Sequence, residues 1–427
     1  IITNCEAKLK DKKIKVLTIS DHPVHALSGV GIQTNYLIDA LLKSGKFNIV
    51  SLAGAMSHPD YTPQKTEEWE DDWVIYPVNG YGNHELIRSI LRTEKPDIMW
   101  FMTDPRYFTW LWEIEDEIRA LVPMVYYHVW DNYPHPYFNK EYYESNDVIV
   151  SISKLTHDIV QTVSPSVESH YLPHAVDSRT FKKLPKEELT QFSLDHGYED
   201  KFTFFWNNRN ARRKQSGTLV WWFKEFLDEI GHDKARLIMH TDAHDVHGQD
   251  LNVIIKELGL ESGQVLISNK KIPGEILNLM YNSADCTINI SDAEGFGLAT
   301  LESLACGTPI IVNMTGGLQE QVTDGEGWFG IGIEPSSKAV IGSQDVPYIY
   351  EDRISKEDFL SALRKIYNMS EEEREELGEK GMAHVNENYN FENYKQKWIE
   401  ILESVHEKYG SWETRTGFKK WHFMEIK

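Results

Sequence analysis

Cysteine is scarce in this chain: Cys5, Cys286 and Cys306 are the only three in 427 residues, far apart and without C-x-x-C spacing. That pattern excludes a disulfide framework, offers no zinc-type ligand spacing, and fits reduced thiols in a cytoplasmic protein. Long apolar runs are missing too. The longest, Ala120 to Trp130, has 11 residues and contains His128, against the ~20 needed to cross a bilayer. The opening IITNCEAKLKDKKIK has no basic segment followed by an apolar core and a small-residue cleavage site, so a secretory leader is not expected. Positive charge is in deficit, with 44 Lys and Arg against 66 Asp and Glu and a net charge of −22. Such a field repels nucleic acid unless a local basic groove overrides it. No Asp-x-Asp occurs anywhere, so the closely spaced carboxylates that usually hold a hard divalent ion are absent. No repeat at solenoid period is present either.

What remains is the composition of a folded chain, 41% hydrophobic and 26% charged, long enough for two or three domains. Short β-branched runs alternate with helical segments. IKVLTIS is followed by a Ser-Gly-Val-Gly loop and the periodic GIQTNYLIDALLKSG; PDIMWFM, PMVYYHV and DVIVSIS continue the series. The tempo restarts at KFTFFWNN and runs through ARLIMH, QVLISN, DCTINI and TPIIV. Alternation of this kind implies parallel sheets with crossover helices. Between the halves, LPHAVDSRTFKKLPKEELTQ is punctuated by proline and charge and reads as a linker with a short helix. The expected division is 1–177, 178–390, and a C-terminal helical segment 391–427 packing on the first domain.

Two glycine pairs, Gly29-Val-Gly31 and Gly295-Phe-Gly297, stand just before expected helix starts. Unpaired N–H groups and the helix dipole there favour an anion, although a ligand-free turn fits each pair equally well. Neither completes G-x-G-x-x-G, because Thr34 and Thr300 hold the last position. WNNRNARRKQ sets Arg209 and Lys214 about a loop, suited to a diphosphate or simply to solvent. In EGFGLATLE the spacing of Glu294 and Glu302 would put both on one side of a helix, two turns apart. HTDAHDVHGQD offers a metal-like His244/His247 pair, yet Asp250 is placed as the N-cap of the next helix and a plain loop is expected.

Taken in order, these motifs resemble the family 4 glycosyltransferases, retaining enzymes of the GT-B fold built from two facing Rossmann-like domains. SGVG is similar to the family's first glycine loop, YYHVWD to its strand-end histidine, and LPHAVD to its Pro-Asn-Gly-Val-Asp pattern with His174-Ala175 in place of Asn-Gly. RNARRK matches Arg-x4-Lys, SDAEGFGLATLE matches E-x7-E, and CGTPIIVNMTGGLQE matches G-x-P followed by G-G-x-x-E. The segment 334–355 is longer than the family pattern suggests.

The resemblance implies that Arg209 and Lys214 hold the diphosphate of a nucleotide sugar. By the same carry-over, Glu294, Gly295, Phe296, Gly297 and the Leu298 backbone cradle its sugar, and Glu302 binds the ribose. Gly29 and Gly31 approach the diphosphate, Ile272 contacts the base, and His128 lies by the transferred sugar. It further implies transfer with retention to a glycan, lipid-linked or small-molecule hydroxyl, with the donor in the interdomain cleft, no cofactor and no metal. Two other readings keep the fold: transfer to hydroxymethylated bases in DNA, which the acidic charge disfavours, and a catalytically silent nucleotide-sugar-binding protein. The first-half aromatics, including Tyr107, Trp112, Tyr126, Trp130 and Tyr137, read as core, with one or two facing an acceptor. The terminal KKWHFMEIK reads as a packed tail or a peripheral membrane contact.

Overall fold

The computed structural model describes residues 12–198 and 201–420. Cys5 and the end of the KKWHFMEIK tail lie outside the described residues. Internal contacts divide the chain into two units, one formed by Ile1–Trp130, His135–Pro173 and Glu392–Lys427, the other by Asp131–Pro134 and His174–Phe391.

In the first unit the strands are β1 (Ile14–Asp21), β2 (Phe47–Gly54), β3 (Gln64–Lys65), β4 (Trp73–Pro77), β5 (Ile98–Thr103), β6 (Met124–His128), β7 (Val148–Ser151) and β8 (Glu168–Tyr171). They form one sheet in the order β3-β4-β2-β1-β5-β6-β7-β8, parallel apart from β3. β5 is buried along its whole length, which explains why its first five residues, IMWFM, are all apolar rather than alternating. The helix Gly29–Lys43 follows β1, with Ser28 Oγ accepting from the Gly31 N–H. Gly29 and Gly31 thus form its first turn, where the sequence had placed them in the loop before it; the Ser28 cap starts the helix early. The C-terminal helix Phe391–Tyr409 buries Trp398 edge-on against Trp100 and Tyr127. Beyond it, Ser411 donates to Asp97 (2.6 Å) and Arg415 to Asp147 (2.7 Å), fixing 410–415 on this unit. Trp112, Tyr126 and Trp130 are core, whereas Tyr107 and Tyr137 are exposed.

The second unit has β9 (Phe202–Asn207), β10 (Ala235–His240), β11 (Val265–Ser268), β12 (Cys286–Asn289), β13 (Ile310–Asn313) and β14 (Gly330–Ile333), all parallel, in the order β11-β10-β9-β12-β13-β14. Counted within the unit this is 3-2-1-4-5-6, the doubly wound Rossmann arrangement, and the strand order reverses between β9 and β12. Its core gathers Phe204, Trp206, Phe223, Leu237, Ile288 and Ile311. The stretch read as a linker carries the helix Lys186–His196, and 334–355 forms an antiparallel hairpin, β15 (Ser337–Ile341) with β16 (Ile349–Arg353). Among the described residues no helix is long and apolar enough to cross a membrane.

Candidate active site

In doubly wound sheets the loops leaving the carboxyl ends of the two strands at the order reversal open a crevice, where ligands bind. In the second unit those strands are β9 and β12. The chain leaves β9 at Asn207, passes Arg209 and makes a tight 3-10 turn, Arg212–Lys214, before the helix Ser216–Ile230. It leaves β12 at Asn289 and runs through Ser291 and Glu294 to the helix Leu298–Ala305.

At this point Lys214 Nζ donates to Glu294 Oε2, with both side chains 10% exposed. Asn289 Nδ2 (3.2 Å) and Ser291 Oγ (3.4 Å) donate to the same carboxylate oxygen, and Arg213 lies 3.9 Å from the other. Burial alone would raise the Glu294 pKa, but the charges of Lys214 and Arg213 and the hydrogen bonds from Lys214 and Asn289 outweigh it and hold it at about 2. Arg213 also donates to the Ala293 carbonyl and approaches Asp131 at 3.7 Å. A buried, ionised Lys–Glu pair is costly unless its remaining valences are satisfied, and here they are largely met by polar side chains.

The glycines set the loop's path. Gly297 has φ +90° and precedes the helix Leu298–Ala305, which therefore cannot extend back to Glu294. Glu294 and Glu302 are thus not two positions on one helix, as the spacing had suggested; the left-handed glycine separates them. Gly316 has φ +49°, and a Cβ there would lie 1.8 Å from the Glu294 carbonyl oxygen, which itself accepts from Gly317 N–H at 3.1 Å. Gln321 Nε2 donates to the carbonyls of Phe296 (2.8 Å) and Gly297 (2.9 Å). The Phe296 ring is buried against His174 and Tyr389, so of the expected cradle Phe296 presents backbone rather than ring.

Glu302 lies on the helix, partly buried, and accepts from Tyr281 Oη at 2.7 Å, while Asn207 Nδ2 donates to that hydroxyl at 2.9 Å. Burial lifts the Glu302 pKa to about 7 against the opposing Tyr281 hydrogen bond. Ile272 is partly exposed in the loop between β11 and the helix Gly274–Ser283, which carries Tyr281. Arg209 is 63% exposed and bidentate on Asp245 (2.8 and 3.4 Å), with its NH2 nitrogen 2.7 Å from His247 Nδ1. Asp250 caps the next helix by accepting from Val253 N–H.

In the first unit Gly31 is packed on the His22 and Ala26 carbonyls, where a Cβ would come within 3.1 and 2.6 Å. His128 has no exposed surface; its Nε2 is 2.9 Å from Tyr143 Oη, its Nδ1 is 3.3 Å from Ser151 Oγ, and burial lowers its pKa to about 3. His128 is thus a buried residue engaged at both nitrogens. Sequence reasoning did not single out Tyr281, Asn289, Arg213 or Gln321. Arg213 adjoins Lys214 in a basic run and was open to notice, whereas nothing in the sequence near Tyr281 signals its role.

Comparison with known proteins adds to this geometry. The family model described as Glycosyl transferases group 1 matches residues 245–384. N-acetyl-alpha-D-glucosaminyl L-malate synthase of Bacillus anthracis is 22% identical over 233 residues, 54% of this chain and 58% of that protein. Alpha-monoglucosyldiacylglycerol synthase of Streptococcus pneumoniae is 26% identical over 184 residues, 42% of this chain and 40% of that protein. The chain thus spans between two fifths and three fifths of the length of these two curated relatives. Sucrose-phosphate synthase from Thermosynechococcus elongatus superposes with a TM-score of 0.73 at 15% identity, covering 92% of this chain and 100% of that one. The Anabaena protein Alr3699/HepE in complex with UDP and glucose superposes with a TM-score of 0.66 at 15% identity, again covering 92% and 100%. The fold is GT-B, with two Rossmann-like α/β units.

Proposed function

We propose that this GT-B-fold chain, with its group 1 glycosyltransferase match, is a nucleotide-sugar-dependent glycosyltransferase that transfers with retention to a hydroxyl acceptor. The observation that carries the reading is the buried Lys214–Glu294 pair at the strand-order reversal of the second unit. Cleaving a bond to a diphosphate leaves negative charge on the departing oxygen, and a preorganised cation in a water-poor site stabilises it more than solvent does. Lys214 supplies that cation. Arg209 adds a second, drawn from Asp245 to the incoming diphosphate, whose oxygens its planar guanidinium fork grips in pairs. Glu294, ionised at neutral pH, accepts from the hydroxyls of the donor sugar, and the carbonyls and N–H groups from 295 to 298 complete the cradle. Glu302 and Tyr281 bind the ribose, while Ile272 offers backbone to the base. The reading assigns no covalent nucleophile: the departing phosphate takes the acceptor proton on the same face.

The test is a panel of nucleoside diphosphate sugars incubated with the protein in EDTA, following release of nucleoside diphosphate with and without candidate hydroxyl acceptors. The reading expects release from one donor, unaffected by chelation and abolished by Glu294→Gln. Binding with no release by any donor would favour a silent binding protein. Activity lost to EDTA and restored by Mn²⁺ would contradict the metal-free mechanism.

A further inference from the structure

The hairpin β15–β16 is an addition to the α/β plan, and a two-stranded ribbon on its own is barely stable in water. Three of its polar side chains, Glu351, Asp352 and Arg353, nevertheless contact the loops of the candidate site. Along β16 alternate residues face opposite ways. On one face, Glu351 is buried and accepts a bidentate pair from Arg212 (2.5 and 3.1 Å), while Arg353 lies 3.5 Å from Glu351 and 3.7 Å from Asp292. On the other, Asp352 Oδ2 accepts from Thr315 Oγ1 at 2.7 Å.

The backbone repeats the arrangement. Asp352 N–H donates to the Asp292 carbonyl (2.8 Å), and Asn313 Nδ2 bridges the carbonyls of Asp352 (2.8 Å) and Ser291 (2.9 Å). Thr315 immediately precedes Gly316 and Gly317, which are stacked on Glu294 and Phe296. The contacts therefore end on the turn that carries Lys214 (Arg212), within three residues of Glu294 (Asp292, and Ser291 through Asn313), or on Thr315, beside the glycines packed on Glu294. A buried carboxylate such as Glu351 adds little to the packing of a hairpin and costs desolvation; bidentate pairing with Arg212 gives it direction.

We propose that the β15–β16 hairpin is a positioning clamp for the donor site, holding the Lys214 turn through Glu351–Arg212 and the Glu294 loop through Asp352–Thr315. Neither Glu351 nor Asp352 touches the substrate; they set where Lys214 and Glu294 stand. The kinetic part of this inference rests on the donor-binding reading above, and the structural part does not.

The experiment measures donor and acceptor KM, kcat and amide hydrogen exchange for wild type, Thr315→Val, Asp352→Ala, Glu351→Gln and Thr315→Ser. A misplacement of about 1 Å at a reacting group can cost about 100-fold in rate, so Thr315→Val and Asp352→Ala are each expected to lower kcat/KM for the donor by about 10- to 100-fold, leaving the acceptor KM unmoved. Exchange should rise in peptides spanning 291–300. Thr315→Ser, which keeps the hydroxyl, should restore both readouts, and the Thr315→Val/Asp352→Ala double variant should be no worse than the worse single variant. Glu351→Gln should raise exchange at 211–216. Wild-type kinetics and exchange in the folded Val, Ala and Gln variants would overturn the clamp while leaving the functional reading intact. If wild type shows no donor turnover, that reading falls, and exchange at 291–300 and 211–216 still decides the clamp.

Discussion

Replacing Lys214 with Met removes the cation and retains most of the side-chain volume. Both members of the Lys214–Glu294 pair are 10% exposed, so the change leaves a carboxylate in a poorly solvated site, and breaking a buried pair in this way costs about 3–5 kcal/mol. The pKa of Glu294 gives an independent scale, since its fall from 4.5 to about 2 corresponds to about 3 kcal/mol. The sign follows from the lowered folded-state pKa. The carboxylate's contribution is complete above about pH 4.5 and is lost as pH falls toward 2. Wild type and Lys214→Met should therefore differ by about 3 kcal/mol at pH 7 and converge on acidification. Because a two-unit chain need not unfold in one step, the suitable assay is native-state hydrogen exchange at the β9 and β12 amides. The Lys214→Met/Glu294→Gln double variant should recover part of the loss, because neither charge is then stranded. Wild-type protection in Lys214→Met at pH 7 would refute the claim that the pair is a buried, charged unit.

Other expectations follow from the same geometry. Gly316→Ala must place a Cβ 1.8 Å from a backbone oxygen at φ +49°, so loss of donor binding with a lowered Tm is expected, and an unchanged Tm would contradict it. Asp245→Asn removes the carboxylate that competes for Arg209 and should lower the donor KM, whereas Arg209→Ala should raise it; equal KM values in both would remove Arg209 from the site. With Glu302 near 7, its ionised form gains population as pH rises from 6 to 8. Affinity for a nucleoside diphosphate, measured calorimetrically, should therefore tighten over that range in wild type and stay flat in Glu302→Gln.

The fold was legible because its strands are short, β-branched runs with few polar interruptions, as in IKVLTIS, PDIMWFM and KFTFFWNN. Phe47–Gly54 and Trp73–Pro77 escaped notice, the first because FNIVSLAG mixes polar and small residues, the second because WVIYP is brief and ends in proline. The hairpin was visible only as excess length, since KAVIG and YIYEDR carry charge and exposure unlike the sheet strands. At the candidate site, Lys214 and Glu294 were singled out from motif spacing 80 residues apart, yet their mutual pairing is a property of the strand order, which places β9 beside β12. The burial of His128 was not legible, because a histidine at the end of a strand looks the same in sequence whether it is exposed or, as here, engaged by Tyr143 and Ser151. Tyr281 reaches Glu302 from another helix, and no local pattern reports such a contact.

The central claim is that a nucleoside diphosphate sugar is held at the strand-order reversal of the second unit by the loops after β9 and β12. Hydrogen exchange of the wild-type chain with and without saturating nucleoside diphosphate tests it directly. The account expects new protection confined to peptides covering 207–216, 291–302 and 315–318, and none of it in Glu302→Ala at the same ligand concentration. Protection elsewhere in the chain with none in these three segments would contradict it.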